Sequence, residues 1–197
     1  MDMIDLLRAG LHRMRKEKLL KISLIFSFVY GIVVAIICRI ENVIEGGEFL
    51  SVLFVVMASY ISLTVGAENK TGVIRNKVIS GHAKGMIFIS ELIFSTAVCT
   101  AMTVLFSAPV FIANSDLVGN VPTGGLCMAL LSLIVASMCY AVIYMVITSL
   151  TGSPAVSLII CLALTAAVFL VSYECEISLG SVQYIEIERS GGLELIP

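Results

Sequence analysis

Charged residues are scarce in this sequence: Asp, Glu, Lys and Arg together make up 13% of its 197 residues. That is about half their share in an average soluble domain. Hydrophobic residues make up 59% of the chain, and the mean hydropathy is strongly positive at +1.06. Because a water-soluble fold of this size could not bury so much apolar surface, the composition argues against a soluble protein and indicates that lipid is the solvent.

Catalytic and metal-binding motifs are lacking as well. The sequence contains no Walker-type phosphate loop, no GxSxG, no HExxH and no dinucleotide fingerprint. Its two histidines, His12 and His82, lie in separate polar segments without matching carboxylates. The six cysteines form no CxxC pair, and five of them lie in apolar runs, where cysteine behaves as a small hydrophobic residue. We therefore expect a protein that is not an enzyme and that holds no metal or cofactor.

Five apolar stretches are long enough to cross a membrane, which takes roughly 20 mostly apolar residues because the hydrocarbon core is about 30 Å thick. They cover residues 22–38, 49–66, 86–113, 125–150 and 154–173. The last two are separated by Thr151-Gly152-Ser153 alone, a link so short that the two helices must be antiparallel. The sequence thus predicts an all-α membrane protein, a bundle of about five transmembrane helices within residues 1–173, followed by a tail over 174–197.

The charges outside these stretches alternate in sign along the chain. Ten of the twelve Lys and Arg residues lie before the first stretch or between the second and third: Arg8, Arg13, Arg15, Lys16, Lys18, Lys21, Lys70, Arg75, Lys77 and Lys84. The segment between the first two stretches and the tail are mainly acidic. Because basic loops stay inside, we expect a multi-pass protein of the cell inner (cytoplasmic) membrane, with a cytoplasmic N-terminus and an extracytoplasmic C-terminus. The first apolar stretch has no small-residue cleavage site, so it is interpreted as a span rather than a signal peptide.

The first non-spanning segment of interest precedes the first span, from Met1 to Lys18. Its residues Ile4, Leu7, Leu11 and Met14 repeat at helical spacing, with charged residues on the remaining faces. This pattern predicts an interfacial helix that lies flat on the inner membrane surface. The alternative is a solvated basic leader that only orients insertion.

The second such segment, from Ala67 to Gly85, joins the second and third spans. Thr71 can cap a short helix and Gly81 can end it. Within that helix Ile74 and Val78 share one face, while Arg75 and Lys77 point elsewhere. These features suit a docking element for a cytoplasmic partner, and they suit an ordinary basic loop equally well.

One acidic residue, Glu91, lies within a predicted span, in its second turn. An ionisable residue there is a candidate for a proton or substrate site. The alternative, which we favour, is that Glu91 lies near the lipid headgroups or pairs with a base such as Lys84 or Arg75. The same span carries several hydroxylated residues, which indicate close helix packing in preference to a substrate path.

The segment from Glu68 to Gly81 reads ENKTGVIRNKVISG and is followed in the next span by Ser90-Glu91-Leu92. It resembles the first cytoplasmic loop of type-2 ABC exporter permeases, which commonly has an acidic residue, a Gly-Thr-Ile-Arg-Asn-Lys-like core and then Ser-Gly. Here Val73 stands where that family usually has Thr. The basic N-terminal helix and the short link between the fourth and fifth spans also match, so the resemblance covers roughly residues 1–173.

The resemblance implies a transport subunit without its own motor. A separate ATP-binding subunit would dock beneath the membrane, and a second permease chain would complete a homo- or heterodimer surrounded by membrane lipid; no nucleic-acid partner is expected. The loop helix would be the coupling helix, with Thr71, Ile74, Arg75, Lys77 and Val78 as its partner-binding residues.

The chain departs from that family in its number of spans. The family has six, and residues 177–197 contain Gly180, Gly191 and Gly192 and several charges, so they cannot form a sixth. A truncated product and a shortened relative both agree with this pattern. A function of another class also stays open, that of a non-transport membrane protein, such as an immunity, sensor or assembly factor, which binds its partner through the same loop.

Overall fold

The computed structural model describes residues 17–41, 47–79, 81, 83–113 and 123–189, and these contain six helices and no strand. Their bounds are α1 Lys18–Glu41, α2 Gly47–Thr71, α3 Val73–Ile79, α4 Lys84–Ala113, α5 Thr123–Thr151 and α6 Pro154–Arg189. The predicted interfacial helix falls largely on residues 1–16, which lie outside this part of the chain.

Within the described ranges, five helices are long and apolar enough to cross a membrane: Lys18–Ile40, Phe49–Thr71, Lys84–Ala113, Cys127–Thr151 and Pro154–Glu174. They coincide with the five stretches expected from the sequence, which confirms an all-helical chain and indicates a multi-pass membrane protein. Two boundaries differ by five residues or more: α2 continues beyond the expected end at Gly66 as far as Thr71, and α6 continues beyond the expected end near Tyr173 as far as Arg189. A helix needs apolar side chains only within the lipid, and residues such as Glu, Leu and Gln, which follow Tyr173, tolerate helix well in water.

The first and fourth helices, α1 and α4, pack against each other and run parallel. Their C-terminal ends meet where Arg39 donates from Nη1 to the carbonyl oxygen of Ala113 over 2.7 Å. Nearer the middle of the pair, a Cβ atom built on Gly31 would lie 2.5 Å from the carbonyl oxygen of Phe106. The two backbones can approach this closely because the face that α1 turns inward is rich in small residues: Ser23, Ser27, Gly31, Ala35 and Cys38.

The second helix, α2, is the most enclosed of the spanning helices and contacts all the others. About half of the residues in its most apolar stretch are buried, compared with 17% in that of α6. Leu53, Met57 and Ile61 of α2 belong to a common core with Met102 of α4 and Tyr144 of α5. Since so little of α6 is enclosed, most of its apolar surface faces outward, where lipid or another membrane protein can cover it.

The basic residues collect at one end of the bundle. The helices α1 and α4 run parallel, and α2, which follows α1 in the chain, runs in the opposite direction. The N-termini of α1 and α4 therefore lie at the same end of the bundle as the C-terminus of α2. The described lysines Lys18, Lys21, Lys70 and Lys84 are all exposed at this end, which we call the basic end. The α3 helix and the α5–α6 turn lie there too, since α3 follows α2 directly and Asn69 of α2 bonds to Thr148 of α5.

Candidate functional site

A seven-residue helix, α3, lies at the basic end between two spanning helices. It occupies Val73–Ile79, within the 71–80 segment expected from the sequence. Gly72 before it and Gly81 after it have φ angles of +73° and +92°, which only glycine adopts without strain. The amide of Asn76 donates to the carbonyl of Gly72 over 3.0 Å, and that of Gly81 to Val78 over 3.1 Å. The glycines therefore allow the chain to turn sharply into and out of the helix.

The expected cap at Thr71 differs from what is observed. Thr71 is the last residue of α2, and its hydroxyl donates back to the carbonyl oxygens of Ala67 at 2.8 Å and Glu68 at 3.4 Å. The residue that precedes α3 is Gly72, whose carbonyl accepts the first bond of that helix. The reason is that α2 extends five residues beyond its predicted end at Gly66 and so incorporates Thr71.

The expected partner-binding residues are placed only in part. Ile74, Arg75 and Lys77 belong to α3, and their side chains lie outside the described part of the structure. Val78 is half-buried, whereas its neighbour Ile79 is 73% exposed. Sequence reasoning chose Val78 because it repeats Ile74 at helical spacing and passed over Ile79. The sequence does offer a sign of Ile79, because it is an apolar residue at the end of a short helix in an otherwise polar segment.

The acidic residue Glu91 lies on the buried face of α4 and is only 8% exposed. It is flanked on that face by Ser90 and Ser95, both buried. The expectation concerned its depth along the helix, near the headgroups; the structure adds that α4 turns this face towards its neighbours from its second turn onward, so that Glu91 is buried in the bundle. Of the two bases considered as partners, Lys84 is exposed and the side chain of Arg75 is not described. The carboxylate is not isolated, which favours a structural role for Glu91.

A second buried carboxylate, Glu68, lies near the basic end of α2 and is 7% exposed. In the sequence Glu68 stands out only as part of the loop motif, because the predicted second span ends at Gly66. The extension of α2 to Thr71 brings it inside the bundle. Polar groups thus enter the protein interior at this end from both α2 and α4.

The hydroxylated residues of α4 are satisfied within their own helix. Ser90 donates to the carbonyl of Ile87, Thr103 to that of Cys99 and Ser107 to that of Val104, over 2.8 to 3.2 Å. Ser90, Ser95, Thr103 and Ser107 are buried. Since Ser90, Thr103 and Ser107 use their donors along the helix, the arrangement favours helix packing over a polar path.

Two polar contacts join α2, α5 and α6. Tyr144 of α5 is fully buried, and its hydroxyl lies 2.6 Å from that of Thr165 in α6. Asn69 of α2 donates from Nδ2 to the carbonyl oxygen of Thr148 over 3.3 Å. In a membrane such bonds help to hold packed helices together.

A cavity of about 330 Å³ lies between α4 and α5, in the halves of these helices away from the basic end. Its walls are formed by Thr103, Val104, Ser107, Ala108, Phe111, Ile112, Leu130, Leu133 and Ile134. The hydroxyls of Thr103 and Ser107 donate to their own helix, so the cavity suits an apolar molecule. Across the described ranges, no cluster of His, Cys, Asp or Glu could hold a metal ion.

No family model, no characterised protein and no solved structure matches this chain. The resemblance to type-2 exporter permeases therefore rests on the sequence features given above, chiefly residues 68–81, and on no comparison with a known protein. At residues 73–79 the structure has a short helix, which lies at the basic end of the bundle.

Proposed function

We propose that this chain is the membrane-spanning permease subunit of an ATP-driven exporter and that α3 is its coupling helix. The observation that carries the proposal is a seven-residue helix between two spans, bounded by two glycines with positive φ, in the most basic internal segment of the chain. A short rigid helix transmits a push from a soluble motor better than a loop does. The loop motif supports the same assignment.

The orientation proposed is that of an inner-membrane protein with the basic end in the cytoplasm. Its support is the clustering of exposed lysines at that end, together with ten of the twelve Lys and Arg residues of the sequence. Basic segments next to spans are retained on the cytoplasmic side. An ATP-binding subunit would then find α3 on the side where ATP is available.

The proposed docking surface consists of Thr71 at the end of α2 and of Ile74, Arg75, Lys77 and Val78 in α3, and we add Ile79 to it. Ile79 is 73% exposed, so its side chain is available for contact with a partner. The proposed assembly is completed by a second permease chain, identical or related. The weakly enclosed α6 offers apolar surface for such pairing.

The experiment is co-purification from detergent-solubilised membranes, with bound ATP-binding proteins identified by mass spectrometry. We expect Arg75→Glu and Ile79→Asp to reduce recovery of the ATP-binding subunit at least tenfold, because truncating an interface hot spot typically costs about 2 kcal/mol or more. Ile74→Asp should act in the same way. Membrane insertion of all three variants should be unchanged.

Matched controls are Lys84→Glu and Ala83→Asp, which make the same changes of charge at exposed positions outside α3. They should retain the ATP-binding subunit. Retention by the α3 variants as well would contradict the coupling role. Recovery of a protein that binds no ATP, lost on the same substitutions, would instead identify an immunity, sensor or assembly factor.

A further inference from the structure

The basic end of α2 touches the start of α6 without space for a side chain. A Cβ atom built on Gly66 would lie 2.7 Å from the Cα atom and 2.9 Å from the Cβ atom of Pro154. Real Cβ atoms do not come this close to other atoms, so a larger residue at position 66 would have to push the helices apart. Gly66 therefore sets the distance between α2 and the first residue of α6.

One turn further along α2, Asn69 bonds to the end of α5. Its Nδ2 atom donates to the carbonyl oxygen of Thr148 over 3.3 Å. The same oxygen accepts the amide of Gly152 at 3.3 Å and the hydroxyl of Thr151 at 3.3 Å. Asn69 thus joins the bonds that close the C-terminus of α5, at the point where the chain turns into α6.

The two ends of α3 are attached to the bundle differently. Gly72 alone separates α3 from α2, and its amide donates back to Asn69 over 3.4 Å. Residues 80–83 separate α3 from α4. The link towards α2 is shorter and leads directly to the residue that bonds to Thr148.

We propose that Gly66, Asn69, Thr148 and Pro154 form a clasp that makes the basic end of α2 and the α5–α6 turn one rigid unit, and that a displacement of α3 enters the bundle through this clasp rather than through α4. The route of the displacement rests on the proposed function, because the ATP-binding subunit would be what displaces α3. The clasp itself belongs to the chain alone and can be tested without a partner.

The first test measures the distance between spin labels at Lys70 and Leu150, which are exposed on either side of the clasp; Leu150 is 82% exposed. The full chain is studied in lipid nanodiscs with its native cysteines replaced. We expect one narrow distance distribution. Asn69→Asp, which places an acceptor opposite the Thr148 carbonyl, should broaden it and shift it to longer distances, and Gly66→Leu should do the same.

The matched control is Ala67→Leu, next to Gly66 but exposed, which should leave the distribution unchanged. If Gly66→Leu does not fold, Asn69→Asp still decides. A distribution for Asn69→Asp identical to that of the parent would overturn the clasp, as would a broad distribution in the parent.

The second test follows α3 in the complex with the ATP-binding subunit. Labels at Asn76 and Leu150 should keep their distance when ATP is added, whereas labels at Asn76 and Ile89 of α4 should change theirs. The reverse result would overturn the proposed route. If no ATP-binding subunit associates, the proposed function fails, and the Lys70–Leu150 measurement still decides whether the clasp exists.

Discussion

Gly31 occupies the closest contact between α1 and α4, and its missing side chain is what makes that contact possible. A Cβ atom there would lie 2.5 Å from the carbonyl oxygen of Phe106 and 2.8 Å from Cγ of Pro109. We expect Gly31→Ala to lower the free energy of unfolding by about 1–3 kcal/mol, the usual cost of overpacking. Unfolding in mixed micelles with increasing SDS would measure it.

The control for this substitution is Gly85→Ala, at an exposed glycine of the same helix pair with no atom within 4 Å of the added Cβ. Its unfolding free energy should stay the same or rise by up to about 1 kcal/mol, because alanine favours helix over glycine. Equal losses at the two glycines would show that the α1–α4 contact is looser than the structure has it.

The burial of two carboxylates, Glu68 and Glu91, was not predicted from the sequence. Glu91 was expected near the headgroups or paired with a base, because it lies close to the start of its span, and Glu68 was placed in a loop. Both are less than 10% exposed. A residue's depth along a helix can be read from the sequence, but the direction in which it faces depends on which neighbours the helix acquires.

The end of α4 is held by another helix, since Arg39 of α1 donates to the carbonyl of Ala113. A cation at a helix C-terminus bonds to its last carbonyls and offsets the helix dipole. We expect Arg39→Ala to speed hydrogen exchange in the last turn of α4, at residues 110–113. The destabilisation should be about 0.3–1 kcal/mol, because the site is exposed. Exchange followed by mass spectrometry would show it.

Ile40→Ala provides the comparison, since it alters the neighbouring, 75% exposed side chain and leaves the Arg39 bond intact. Exchange in residues 110–113 should match the parent. If Arg39→Ala also matches the parent, the end of α4 is stabilised by its own turns and not by α1.

The predicted spans agree with the observed helices within the apolar runs, and the helix ends differ from the predicted ends. The five spans were predicted because each must supply a long apolar run to lie in lipid. The ends of α2 and α6 extend past those runs, to Thr71 and Arg189. A helix can continue into water on backbone hydrogen bonds alone, so hydropathy marks where the lipid ends and not where the helix does.

We expect the bundle to lie in the membrane with its basic end in the cytoplasm, and this orientation can be tested in intact cells. In a background lacking Cys175, we expect Asn76→Cys to react only with membrane-permeant thiol reagents and Asn120→Cys to react with impermeant ones. Asn76 is exposed on α3, and position 120 lies in the segment between α4 and α5. The expectation rests on the retention of basic loops in the cytoplasm.

After solubilisation in detergent both cysteines should react, which would show that each is chemically competent. Equal labelling of the two sites in intact cells would contradict the orientation. Labelling of position 76 alone by the impermeant reagent would reverse it, and would place α3 on the side without ATP.

The amino-acid sequence by itself determined that the chain is helical, that five segments suit a membrane interior and that the basic segments belong on one side. These properties are sums over many residues, and hydropathy and charge are carried by each residue regardless of its neighbours. The short helix was not determined in this way: its flanking glycines are visible in the sequence, but the segment suited an ordinary basic loop equally well, and the structure shows the helix at Val73–Ile79.

Only the tertiary structure decided which helices pair and which face each turns inward. The contacts that decide this join residues far apart in the chain. Gly31 and Phe106 are 75 positions apart, Gly66 and Pro154 are 88 apart, and Asn69 and Thr148 are 79 apart. In apolar surroundings every lipid-compatible face resembles the others, because hydrophobicity does not distinguish lipid from protein. The choice of partner is made by close packing and a few hydrogen bonds, and these exist only once the helices have come together.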